Sequence, residues 1–383
     1  MIRTGKRSDS AFTLLEFFAG SGLVAYALKK YFRTVWANDI DEKKAAVYIA
    51  NHGNSHFLTA DIQTISGVDL PTADLSWASF PCQDLSLAGQ TAGINGARSG
   101  MVWEWLRILD EMSVMPPLLV AENVEGLVSA EGGNHYRVLH EALRSRGYKI
   151  GAVMLDAAYW IPQSRPRIFV IAIKNDMELP TELVSNGPTW MHTKSIAKVA
   201  DSVQDWVWWN MPEPAVRQET LSDIVEWDAP CDDEVARQRN ISLIAPNHLE
   251  RFISDRVSAA PGYKRTRNGK QVLELRFDGI AGCLRTPKGG SSRQYLVLNC
   301  DGELKTRLLT IRETARLMGA PESYKLPGSY NDGYKAMGDA VAVPVAEYLA
   351  KHLLSKLALV ASRNSQGGTE LDVERTPRVV TAI

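Results

Sequence analysis

The chain has 383 residues, 45% hydrophobic and 23% charged, with a formal net charge of −1, enough for one large globular domain and a smaller one. Four scattered cysteines (Cys82, Cys231, Cys283, Cys300) are too few for a disulfide framework or a zinc site, so no metal is expected. No apolar run is long enough to span a membrane, and the polar residues 1–11 lack a secretion signal's apolar stretch, so a cytoplasmic protein is expected.

In chain order, residues 1–11 are expected to be disordered, and an apolar run at residues 12–17 ends at Gly20 and Gly22. Helical spacing over residues 23–32 follows, giving strand, tight turn and helix. Residues 34–37 predict the next strand, closed by Asn38-Asp39, then a helix over 41–52 and a strand from Phe57 towards Asp61. Further strands are predicted at 75–80, 117–121, 149–155 and 167–173, with helices at 100–113 and 134–146. Strands alternating with helices imply an α/β fold with a doubly wound, mostly parallel sheet and ligands at the strands' carboxyl ends.

That rhythm stops over residues 181–305, which are rich in turn residues and carry tryptophans at Trp206, Trp208 and Trp209, so a second, smaller, irregular domain is expected there. Residues 306–360, with helices at 311–319 and 340–357, return to the first domain (12–180), and the polar tail 361–383 is expected to be disordered. Charge divides sharply within the irregular part. Residues 181–250 hold 5 Lys/Arg against 12 Asp/Glu, a net of −7, whereas residues 251–316 hold 14 against 6, a net of +8. The basic block is a candidate phosphate footprint, although a solvated charged surface would look the same.

Three strand ends carry residues suited to a nucleoside cofactor. The Gly20-Ser21-Gly22 turn lets backbone N–H groups approach a ligand, Asp39 can grip a ribose diol and Asp61 can accept from an adenine amino group. Cys82, between Pro81 and Gln83, is the candidate nucleophile, although a thiol at a strand end is more often structural. A glycine-bearing loop follows it (Ser86, Gly89, Gly93, Gly96, Gly100), as in a closing lid. Glu122 and Asn123 close another strand, and Gln163-Ser-Arg165-Pro-Arg167 places two arginines close together.

The order and spacing of these pieces resemble the DNA cytosine-5 methyltransferase family of the bacterial and phage restriction–modification type. Six blocks in the family order cover roughly residues 12–174 and 276–357. The resemblance implies a Rossmann-like S-adenosylmethionine-dependent methyltransferase domain with a target-recognition domain. It assigns the cofactor to Phe18, Ala19, Gly20, Ser21, Gly22, Asp39, Ile40, Asp61, Ile62, Pro81, Asp339 and Ala340. It assigns catalysis to Cys82, Gln83, Glu122, Asn123 and Arg165: Cys82 adds to C6 of cytosine, Glu122 serves N3, and Arg165 meets O2 and favours the thiolate, while Arg167 braces the motif or meets phosphate. The Arg312-Glu313-Thr-Ala-Arg316-Leu-Met-Gly319 block is expected to support the recognition domain.

Double-stranded DNA is the implied partner, with the target base flipped out of the helix. Candidate DNA contacts are Ser86, Arg98, Arg167, Lys264, Arg265, Arg267, Arg285, Lys288, Ser291, Ser292, Arg293 and Gln294, the loop Arg285–Gln294 being the expected base reader. A cognate restriction endonuclease, a monomer and a location beside a prokaryotic nucleoid complete the expectation. Departures from the family pattern are Glu16 for Asp, Leu23 for a second glycine, Asp339 for Asn, and Cys283-Leu284 for Thr-Leu. Two rivals are a transfer-RNA cytosine-5 methyltransferase, whose Cys-Phe-Thr stretch is absent here, and a catalytically silent DNA-binding protein.

Overall fold

The computed structural model describes residues 12–81, 100–285 and 293–367. Seven strands form the main sheet: β1 (Phe12–Phe17), β2 (Phe32–Asp39), β3 (Phe57–Thr59), β4 (Leu75–Ala78), β5 (Leu118–Asn123), β6 (Tyr148–Asp156) and β7 (Pro166–Lys174), in the order β3-β2-β1-β4-β5-β7-β6. The first five are parallel; β7 runs antiparallel between β5 and β6.

Alternating side chains feed two cores, one on each face. Leu14, Trp77, Val120, Phe169 and Ile171 join one core with α1 (Leu23–Leu28), whereas Leu15, Ala78, Ala121, Ile168 and Val170 join the other. On the first side also lie α2 (Glu42–His52) and, late in the chain, α12 (Val343–Leu349), a π-turn (Ala350–Leu354) and α13 (Ser355–Gly367). The second side is covered by α3 (Met101–Glu111), α4 (Gly126–Ser129) and α5 (Asn134–Arg144), whose Trp105 and Tyr136 are fully buried. Each large apolar side chain so buried contributes about 1.5–3 kcal/mol. α13 continues through Gly367, so the structured chain runs beyond residue 361.

The segment after β7, with α6 (Lys194–Ala200), packs on the main sheet. Val207 N–H donates to Ile150 O at 2.8 Å and Ile150 N–H to Asp205 O at 3.2 Å, extending the sheet past β6. Trp209 is fully buried in the first core, its indole donating to Ile171 O at 3.3 Å. Trp206 and Trp208 pack against the core on the other face of the same sheet.

Beyond them come α7 (Leu221–Ile224), α8 (Glu234–Ser242) and α9 (Pro246–Ser254), then an antiparallel sheet of β8 (Ala259–Arg267), β9 (Lys270–Leu275), β10 (Gln294–Cys300) and β11 (Glu303–Leu308), ordered β11-β10-β8-β9. The part expected to be irregular is thus built on regular strands. Asn268-Gly269 and Asp301-Gly302, all at positive φ, turn its two tight hairpins. Ile244, Phe252, Leu273 and Val297 make a separate small core.

The chain returns through α10 (Ile311–Arg316) and α11 (Tyr330–Gly338). Here Arg307 grips Glu313 bidentately at 2.6 and 2.6 Å, both side chains buried. Glu313 also accepts from Thr310 N–H (2.7 Å) and Glu226 N–H (2.8 Å), so its charge is fully partnered. The block holds the second sheet to the first domain. Removing one partner of a buried pair leaves the other uncompensated, so Glu313→Ala is expected to cost about 3–5 kcal/mol in urea unfolding.

Candidate functional site

β1 delivers its chain end to a turn with unusual backbone angles: Phe18 and Gly20 both at φ 57° and Gly22 at φ 83°. A Cβ added at Gly22 would lie 2.7 Å from the His52 ring and from Tyr48, so only glycine fits. The Asp39 carboxylate fixes the turn by accepting from Gly20 N–H (2.8 Å) and Asp41 N–H (2.9 Å). Ala19 lies 8% exposed at the turn, and Ser21 is fully buried, its hydroxyl donating to Ala336 O at 3.1 Å. Asp61 accepts from Gln63 N–H at 3.0 Å, capping a short turn, and Ile62 is buried in the core; neither lines the cleft.

Behind the turn, Glu16 is 1% exposed, and neither carboxyl oxygen has a hydrogen-bond partner. Burial pushes its pKa from 4.5 up to about 8; the Ala25 amide acts against this and the nearby Asp39 charge adds to it.

A cleft of about 1350 Å³ opens at the carboxyl ends of the strands. At one end stand Phe18, Gly20, Asp39, Ile40, Lys44, Asp339 and Ala340. An aromatic ring, an exposed Ile40 (65%), a carboxylate and a glycine cradle match the adenine, ribose and amino-acid parts of S-adenosylmethionine, so these residues fit the cofactor. Lys44, which the sequence did not single out, pairs with Asp339 at 2.6 Å.

In the middle stand Pro81, Glu122, Asn123, Arg165 and Arg167. Glu122 ends β5 and meets Arg167 Nε at 3.1 Å, both largely buried. Asn123 donates to Phe80 O at 3.1 Å, anchoring the backbone just before Pro81. Arg165 is 2% exposed and donates to Cys283 Sγ (3.2 Å), Leu284 O (3.0 Å), Gly338 O (2.9 Å) and Ala340 O (2.7 Å). Burial, then the neighbouring Arg167, lowers its pKa to about 10.

Of the two arginines singled out from sequence, Arg167 faces the Glu122 carboxylate, while Arg165 is committed to acceptors around it. Gln163 is likewise fully buried, accepting from Leu284 N–H at 3.0 Å and donating to Leu317 O. Cys82, Gln83, Ser86, Arg98, Lys288, Ser291 and Ser292 lie outside the described residues.

The far wall comes from the second sheet. Arg265 and Arg285 line the cleft, joined by Arg276 and Cys283 and by His248 and Tyr263, which charge and motif spacing left unmarked. Arg265 stacks over Tyr263 at 4.8 Å. Two of the expected DNA contacts are buried. Lys264 is 7% exposed with its ammonium over the Tyr295 ring, because strand alternation turns it inward. Gln294 is fully buried, its amide bonded to Gly282 N–H (2.7 Å) and Gly282 O (3.2 Å), so in this structure it holds the chain. Arg267 pairs with Glu274 at 2.5 Å on the surface, and Arg293 donates to Asn331 beside the Tyr330 ring. Among the described residues no His/Cys/Asp/Glu cluster could hold a metal, and no helix is long and apolar enough to cross a membrane.

Comparison with known proteins agrees with this geometry. Residues 12–355 match the family model for C-5 cytosine-specific DNA methylase. The chain is 28% identical over 350 residues to Type II methyltransferase M.Bsp6I of Bacillus sp. (strain RFL6), covering 90% of this chain and 99% of that protein. Against Type II methyltransferase M.HhaI of Haemophilus parahaemolyticus it is 26% identical over 362 residues, covering 93% and 98%. The crystal structure of S. pombe Dnmt2 methyltransferase shares the fold, with a TM-score of 0.58 and 20% identity over 92% of this chain and 99% of that one.

The two arginines should separate by experiment. Arg165→Ala is expected to lose about 3 kcal/mol or more in unfolding free energy, because several buried acceptors lose their donor. Arg167→Ala should keep its fold and its cofactor affinity by calorimetry, while single-turnover methyl transfer drops about a hundredfold or more. Glu16 makes stability fall with pH: its folded pKa lies above the unfolded one, so its contribution is full below 4.5 and lost as pH rises through about 8. Glu16→Gln should flatten that slope in chemical unfolding measured across the same range.

Proposed function

The chain belongs to the C-5 cytosine-specific DNA methylase family, and from that premise we propose a division of labour for its methylation of cytosine in DNA. It is a DNA cytosine-5 methyltransferase that uses S-adenosylmethionine. The observation that carries the residue assignment is the Glu122–Arg167 pair, which lines one continuous cleft with the Phe18–Gly20–Asp39 cofactor cradle.

C5 of cytosine is too poor a nucleophile to take a methyl group unaided. Cys82 adds as thiolate to C6, breaking the ring's aromaticity and giving C5 enamine character. Glu122 meets the ring at N3, where charge develops, and Arg167 holds that carboxylate and reaches towards O2. Asn123 anchors the backbone just before Pro81 through Phe80 O. Bound S-adenosylmethionine supplies the methyl group as an electrophilic sulfonium. Loss of the C5 proton and expulsion of Cys82 then restore the aromatic ring.

The target base must leave the duplex, at a cost on the order of a few kcal/mol. Arg265 and Arg285, on the opposite wall, are suited to phosphate or guanine contacts that offset this. The target-recognition unit is assigned to α8, α9 and the second sheet, which enclose a small core of their own, whereas Leu221 and Ile224 of α7 still pack in the first core. The Type II names of the relatives fit a restriction endonuclease with the same target in a prokaryotic host, and a single subunit bearing all these groups fits a monomer.

Nucleoside mass spectrometry on DNA and RNA from a methylation-free host provides the test. Wild type should leave 5-methylcytosine in DNA only, and Cys82→Ser should leave none while binding cofactor normally. Methylation surviving in Cys82→Ser would remove the nucleophile assignment, and modified RNA would redirect the substrate.

A further inference from the structure

The cofactor end of the cleft is crowded with charge. Asp39, Asp41, Asp339, Lys44 and Lys335 all line it. Two ion pairs cross it from α2 to α11 and the residue after it: Lys44–Asp339 and Lys335–Asp41, each at 2.6 Å. A third, Lys43–Asp332 at 2.9 Å, joins the same helices outside the cleft, with Lys43 71% exposed. Lys44 is different: its side chain is 15% exposed and runs along the glycine turn, its Cδ being 4.0 Å from where a Gly20 Cβ would stand.

The Asp339 carboxylate can only accept. The donor beside it comes from another element, Lys44. We propose that Lys44 and Asp339 together form the receptor for the zwitterionic amino-acid end of S-adenosylmethionine, Lys44 taking the carboxylate and Asp339 the ammonium. It rests on S-adenosylmethionine being the cofactor. A charge pair already 2.6 Å apart accepts a zwitterion by adding the opposite charge to each partner, without leaving either one unpaired. The sign of the whole end agrees: three carboxylates against two ammonium groups leave one negative charge, complementary to the single net positive charge of the cofactor.

Calorimetry on the full chain with three ligands tests this. S-adenosylhomocysteine has both amino-acid charges, decarboxylated S-adenosylmethionine keeps only the ammonium, and methylthioadenosine has neither. Lys44→Met should weaken S-adenosylhomocysteine about tenfold, the size of one charge-assisted hydrogen bond, while the other two ligands bind no more weakly. Asp339→Ala should weaken the decarboxylated ligand by a similar factor and leave methylthioadenosine unchanged. Lys43→Met, outside the cleft, should change none of the three. Equal losses for all three ligands in Lys44→Met, or no loss for any, would overturn the proposal and leave the pair as a brace between helices. Failure of the wild-type chain to bind any S-adenosyl ligand would instead overturn the cofactor reading on which it stands.

Discussion

A single buried guanidinium, that of Arg165, ties together three parts of the chain that are distant in sequence. It links the turn before β7, the Cys283–Leu284 stretch that closes the second sheet on the first, and the Gly338–Ala340 backbone beside the cofactor end. An isolated cation at this depth would be costly, and the carbonyl acceptors around it are what make burial tolerable. Its lowered pKa, about 10, still leaves it charged at neutral pH. The strand ends of the first domain and the wall supplied by the second sheet are thereby tied together across the cleft.

Much of the first domain was legible because its strands are apolar on both faces. Leu14 and Leu15, or Val120 and Ala121, face opposite cores, and runs of that kind announce buried parallel strands. Direction was not legible: β7 is as apolar as β5, and nothing in Ile-Phe-Val-Ile-Ala-Ile says that it runs the other way. Nor could spacing decide between Arg165 and Arg167. Two residues apart, each could meet Glu122, and the choice is made by which one the return of Leu284 and Gly338 surrounds with carbonyls.

The second sheet had visible signals that composition obscured. Asn268-Gly269 and Asp301-Gly302 each sit between strand-like segments, and such pairs suit tight hairpins because both residues tolerate positive φ. Charge was a poorer guide, since a basic count does not say which side chains reach solvent. Lys264 counts towards the footprint, yet its neighbours on β8 and β10 hold it inside, whereas His248 adds nothing to the count and lines the cleft.

The strand-like segment at Asp205–Val207 has a bearing on how readily a second chain can extend the large sheet. β6 is a nine-residue edge, long enough to template a strand from another molecule, and that segment occupies the N–H and C=O of Ile150 near its start, while Met154 N–H donates to Met191 O further along. The opposite edge, β3, has only three residues. With one rim interrupted and the other short, the large sheet offers little free edge for a strand of a second chain to extend.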